Sequence, residues 1–207
     1  MNEKEWLKSR LRGIGGSEAS AILGLSPYLT NQELFKIKTK ERTGKFFTNP
    51  HIEYGKAAEK YIRGLFALDF PEFEVIYSDF DCVESKKYPF VIGTVDGRLI
   101  EKATGRKGFL EIKTSEIFSQ AQETKWTNEA VPQSYYIQVL HYFLACEDFE
   151  FCKLRAQIKT RGRIEIKDYH FERSELKDDL EYLLEEEIKF WEQVKAGIKP
   201  NLRLPQI

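Results

Sequence analysis

Apolar positions recur along this chain at two periods, one helical and one of strands. After Gly13-Ile14-Gly15-Gly16 comes SEASAILG, which predicts a short helix with Ser17 as N-cap and Gly24 as its stop. Thr30-Asn31-Gln32-Glu33 is a capping box that opens a second helix, ELFKIKTKE. A loop then runs to about His51, and Glu53 to Leu68 regains the helical period. Phe73 to Val83 alternates as a strand, and PFVIGTVDGRLI and GFLEIKTS form a strand pair joined by EKATGRK. Ser115 to Lys125 reads as helical, and Pro132 opens a helix through QSYYIQVLHYFLA. Phe149 to Lys159 and Arg163 to Phe171 predict a hairpin about Thr160-Arg161-Gly162. Ser174 then caps a long helix, ELKDDLEYLLEEEIKFWEQVKA, ended by Gly197 and Pro200. Nothing repeats and no linker divides the chain. The order predicts one α/β domain over residues 1–207, built on a mixed sheet flanked by helices.

One strand carries unusual chemistry. In FLEIKTS, Glu111 and Lys113 share a face, while Leu110 and Ile112 point the other way. By itself this is an ordinary polar face over an apolar one. A hairpin turn centred between Ala103 and Thr104 changes the picture, because it sets Asp96 directly opposite Glu111. Opposed residues have Cβ atoms about 5 Å apart. Two carboxylates that close repel unless a cation lies between them or one is protonated. Asp96, Glu111 and the Ile112 carbonyl then suit a divalent ion, with Lys113 orienting a water or stabilising charge on a phosphate.

Composition narrows the ion. The three cysteines, Cys82, Cys146 and Cys152, are scattered and form no CxxC, and His51, His141 and His170 show no HExxH spacing. Oxygen ligands favour Mg²⁺ or Mn²⁺. The net charge of −1 does not argue for nucleic acid, although Lys36 to Lys45 and Lys153 to Lys167 are basic runs. No apolar run approaches the roughly 20 residues of a membrane span, and MNEKEWLKSR lacks a signal-peptide core. A soluble, cytoplasmic protein is expected.

VDGRL…GFLEIKTS resembles the PD-(D/E)XK nuclease motif, with Asp96 as its first acid, Thr94-Val95 where proline often stands, and Glu111 and Lys113 as ExK. Further blocks resemble one branch, the YqaJ-like viral recombinases related to lambda exonuclease. These are RGIGGSEASAILGLSPYLTNQELFKIK, EYGKAAEKYI and VPQSYYIQVLHYFLA, in family order between Arg12 and Ala145. The resemblance implies a restriction-endonuclease-like core and a Mg²⁺- or Mn²⁺-dependent 5′-to-3′ exonuclease on linear duplex DNA. It also implies work beside a single-strand annealing protein in phage-type recombination, in a bacterial or phage-encoded setting, and a ring-shaped trimer. It assigns catalysis to Glu59, Asp96, Glu111, Lys113 and Gln138, and the metal to Asp96, Glu111 and Ile112. It assigns the 5′-phosphate to Arg12 and Ser17, with Tyr135 on the DNA path. Without the resemblance, Glu59 reads as an i,i+4 partner of Arg63, Ser17 as a plain cap, and Gln138 as part of a half-buried polar-aromatic face. An endonuclease or repair nuclease on the same core, and a DNA-binding module that kept the fold without catalysis, are the other readings.

Overall fold

The computed structural model describes residues 10–41, 49–127 and 130–204. The basic run beyond Glu41 lies outside them. Three helices come first: α1 (Gly16–Ile22), α2 (Asn31–Lys38) and α3 (Pro50–Asp69). Strands β1 (Phe73–Ile76), β2 (Cys82–Glu84), β3 (Ile92–Thr94), β4 (Gly97–Glu101) and β5 (Lys107–Ile117) follow. Then come α4 (Gln120–Thr124), α5 (Gln133–Ala145), β6 (Phe151–Thr160), β7 (Arg163–Glu172) and α6 (Lys177–Ala196). The central sheet has the order β1-β4-β5-β6-β7, and β2 and β3 form a separate pair. Only β5 and β6 run parallel; the other pairings are antiparallel, so the sheet is mixed.

The β4–β5 register matches the expected one, with Gly97 opposite Leu110 and Arg98 opposite Phe109. Asp96 stands one step beyond the ladder, its N–H donating to the Leu110 carbonyl at 3.2 Å. The β6–β7 turn has Arg161 and Gly162 both at positive φ, as a two-residue hairpin turn of this twist requires. Gly197 ends α6 in the left-handed conformation.

Four predicted elements differ. PFVIGTVDGRLI breaks at Val95-Asp96 into β3, which pairs with β2, and β4, which pairs with β5. The run Phe73 to Val83 breaks into β1 and β2, because the chain turns at Phe80 with φ of 57°. Ser115 to Ile117 stays in β5, held by pairing with Ile158 to Thr160, and α4 begins only after its own Ser119 cap. Ser174 falls inside a 3₁₀ turn, Arg173–Glu175, and α6 starts after Leu176.

Two apolar layers fill the two sheet faces. Alternation along β5 sends Leu110 and Ile112 toward Ile62 and Phe66 of α3, and Phe109 toward Val139, Leu140 and Phe143 of α5. Each such fully buried side chain contributes about 1.5–3 kcal/mol. Gly55 lets α3 approach β5, since a Cβ there would lie 3.0 Å from the Thr114 hydroxyl. On the other face, Tyr142 of α5 is wedged between Gly16 and Gly93; a Cβ on Gly93 would lie 2.6 Å from its ring. Among the described residues no helix is long and apolar enough to cross a membrane.

Gly93→Ala is therefore expected to cost about 1–3 kcal/mol by overpacking against Tyr142. Gly64→Ala, exposed in α3 with open space around it, is expected to gain about 0.5–1 kcal/mol. Urea unfolding of the two variants checks both signs.

Candidate active site

The site forms where β4 stops. Beyond Gly97 the β5 edge has no strand beside it, and the Asp96 side chain fills the next ladder position. Its Oδ2 accepts the Ile112 N–H at 2.7 Å. In a strand the N–H and C=O of one residue leave on the same side. The Ile112 carbonyl therefore also faces this gap. Because the gap opens to both faces of the sheet, α5 reaches it from one side and α3 from the other.

Glu111 is 1% exposed. Its Oε1 accepts from Lys113 Nζ at 2.6 Å and from Gln138 Nε2 at 2.8 Å. Its Oε2 is buried and has no hydrogen-bond partner among the described residues. The Gln138 amide is fixed at both ends, as its Oε1 accepts from Lys113 Nζ at 3.0 Å and its Nε2 also donates to the Tyr142 hydroxyl at 2.8 Å. Lys113 Nζ lies 4.8 Å from the centre of the Tyr135 ring, a cation–π distance. Tyr135 thus sits against the lysine, half-buried.

The electrostatics follow from this desolvation. Burial pushes Glu111 up to about 8, with Lys113 opposing and the Asp96 charge adding to the rise. Burial and the Asp96 charge push Glu59 up to about 7. Asp96 is raised by burial against the pull of Lys113, the Ile112 N–H and Arg63. Burial alone would lower Lys113, but the Glu111 and Asp96 charges outweigh it and hold it above the usual lysine range. Lys113 is therefore held in its charged form, and burial favours the protonated form of each of the three carboxyls.

A cleft of about 280 Å³ opens onto this cluster. Glu59, Asp96 and Tyr142 line it, together with Lys56, Arg10 and Ser17. Ser17 does not cap α1: Gly15 is the N-cap, its N–H bonded to the Glu18 carboxylate at 2.8 Å. The Ser17 hydroxyl instead accepts from Arg10 Nη2 at 3.4 Å. Arg12 is exposed and does not line the cleft. Arg10 does, and the sequence reading passed over it. Ile14 bridges in parallel to Val91. Tyr142, which helical spacing puts on the half-buried face of Gln138, is a direct hydrogen-bond partner of that amide.

His141 belongs elsewhere. It is fully buried, with Nδ1 2.6 Å from Glu187 Oε1 and Nε2 2.8 Å from the Ile92 carbonyl. It ties α5 to α6 and β3. Among the described residues, no three His, Cys, Asp or Glu side chains converge as a ready metal cluster. The donor set at the gap is two carboxylates and a backbone carbonyl.

The raised carboxyl values give a pH dependence. A carboxyl whose folded value exceeds its unfolded one binds protons more tightly when folded, so stability falls as pH rises between the two. For Glu111 that window runs from the usual value of 4.5 to about 8. His141, also raised, acts in the same direction, since Glu187 outweighs its burial. In metal-free protein, Glu111→Gln is expected to flatten the loss of stability between pH 5 and 8. Thermal unfolding across that range checks it; equal slopes in both proteins would contradict the assignment.

Residues 5–148 match the model of the YqaJ-like viral recombinase domain. The uncharacterized protein YqaJ of Bacillus subtilis (strain 168) is 29% identical over 209 residues, covering 98% of this chain and 60% of that protein. The chain thus spans about three-fifths of that relative. Among solved structures, the fold is similar to an alkaline exonuclease, LHK-Exo, from Laribacter hongkongensis, with a TM-score of 0.69, 16% identity and 94% of each chain covered. The same enzyme in complex with dAMP gives a TM-score of 0.71 at 17% identity, again with 94% of each chain covered. A phage related exonuclease from Haemophilus somnus 129PT gives 0.59 at 14% identity, over 90% of this chain and 96% of that one. With more than half of its length matched by the family model, this chain belongs to the YqaJ-like viral recombinase family.

Proposed function

We propose that the protein is a metal-dependent deoxyribonuclease that digests linear duplex DNA from its ends, 5′ to 3′. The observation that carries this reading is the buried Asp96–Glu111–Lys113–Gln138 constellation at the open end of β4. Family membership and the exonuclease fold support it.

The residues fit a divalent ion. Among the described residues, Glu111 Oε2 is a buried carboxylate oxygen without a partner, Asp96 Oδ2 accepts the Ile112 N–H, and the Ile112 carbonyl faces the same gap. Asp96, Glu111 and Ile112 would hold Mg²⁺ or Mn²⁺, which take oxygen ligands. When bound, such an ion polarises the scissile phosphodiester and acidifies a water.

The protein's own groups divide the remaining work. Lys113, charged and held by Glu111 and Gln138, donates hydrogen bonds and offsets negative charge growing on the phosphate. Glu59, with a value near 7 at the cleft wall, accepts the proton of the attacking water. Gln138 fixes the Glu111 carboxylate and the Lys113 ammonium relative to each other. Arg10 and Ser17 in the cleft supply donors for a 5′-phosphate, as arginine and hydroxyl groups do elsewhere. In recombination, the 3′ overhangs so made would pass to a single-strand annealing protein, and a homotrimeric ring enclosing DNA would keep the enzyme on its substrate.

The test is digestion of 5′-phosphorylated linear duplex and of a covalently closed circle, with Mg²⁺ or EDTA. Loss of the linear substrate alone, only with Mg²⁺, and at least a thousandfold slower in Lys113→Ala, is expected. Cutting of circles would make it an endonuclease, and binding without any cleavage would leave a DNA-binding module. On phosphorylated against hydroxyl ends, Arg10→Ala is expected to erase most of the preference for phosphate, and Arg12→Ala to change it less than twofold. Competition between the two ends in one reaction checks this; the reverse order would return the role to Arg12.

A further inference from the structure

Arg63 lies one turn after Glu59 on α3, the spacing of an ordinary surface ion pair. The structure uses it otherwise. Arg63 is 9% exposed, and its Nε donates to the main-chain carbonyl of Asp96 at 2.5 Å. The face of its guanidinium rests on Tyr77, with Cζ 3.4 Å from the ring centre. Tyr77 directly follows β1, and its hydroxyl donates to Asp79 Oδ1 at 2.9 Å. One side chain therefore joins α3, the end of β1 and the junction of β3 with β4.

We infer that Arg63, stacked on Tyr77, is the positioning residue that sets the place of Asp96 in the active site. Asp96 is then fixed at three points. Its N–H donates to Leu110, its Oδ2 accepts from Ile112, and its carbonyl accepts from Arg63. The first two run along β5 alone. Only the third comes from another layer, and it resists rotation of the peptide that follows Asp96. Without it the Asp96 side chain is free to leave the Ile112 N–H, and the oxygen offered to the gap moves with it. Arginine suits the role because its planar fork stacks and donates at once; a lysine ammonium is a point charge with no plane to stack. The inference rests on the proposed role of Asp96, but its first readout needs neither metal nor DNA.

That readout is amide hydrogen exchange at Ile112 in metal-free protein. In Arg63→Met, exchange at Ile112 is expected to rise at least tenfold, while Val139 and Leu140 in α5 keep their protection. In Tyr77→Leu, which leaves the donor but removes its platform, a smaller rise is expected. The second readout is turnover: Arg63→Met is expected to lower kcat at least tenfold with KM for DNA changed less than twofold. Arg63→Lys is expected to recover part of both effects, and serves alone if Arg63→Met does not fold. Unchanged protection at Ile112, or an equal loss at Val139 and Leu140, would overturn the inference. If wild type itself cleaves no DNA, the nuclease reading fails while the exchange result still decides the clamp.

Discussion

The constraint on which this structure turns is a carboxylate buried in the middle of a strand. Glu111 sits on the same face of β5 as the core residue Phe109, and its desolvation is costly unless the charge is met. Lys113 and Gln138 meet one oxygen. Gln138 can do so only if α5 lies close to β5. That approach in turn needs Tyr142 to fit between Gly16 and Gly93, which ties α1 and β3 to the same helix. The other oxygen is left without a partner among the described residues, beside a gap that exists because β4 begins only at Gly97. Packing and polarity thus meet at one residue, and the arrangement costs stability unless something positive completes it.

The parts of this arrangement that are local could be read from the chain. EKATGRK is a short link of turn-forming residues, so the register of β4 on β5 followed from its centre, and with it the nearness of Asp96 to Glu111, although Asp96 itself lies just outside the ladder. The Gly55–Glu59–Ile62–Phe66 face of α3 followed from helical spacing, and Gly55 does let that helix approach β5. Gly197 as the end of α6 followed from its tolerance of the left-handed conformation.

What could not be read depends on partners distant in sequence. Ser115 to Ile117 have no intrinsic reason to prefer a strand; ten residues of parallel pairing with β6 decide it. The break at Phe80 is fixed by Asp81, whose carboxylate is forked by Arg98 of β4 at 2.5 and 2.8 Å. Arg63 had an obvious neighbour in sequence, four residues back, and a different one in space. In each case a short-range rule offered a sound choice, and a contact across the fold replaced it.

The central claim is that Glu111 and Asp96 await a divalent cation. Titration calorimetry of the metal-free protein with Mg²⁺ at pH 7.5, in two buffers of different ionisation enthalpy, tests it most directly. Glu111, pushed up to about 8, gives up its proton when a cation arrives, so binding should release protons to the buffer. Glu111→Gln and Asp96→Asn should each weaken that binding at least tenfold. Binding that releases no protons and ignores both substitutions, or no binding by a folded protein, would contradict the account.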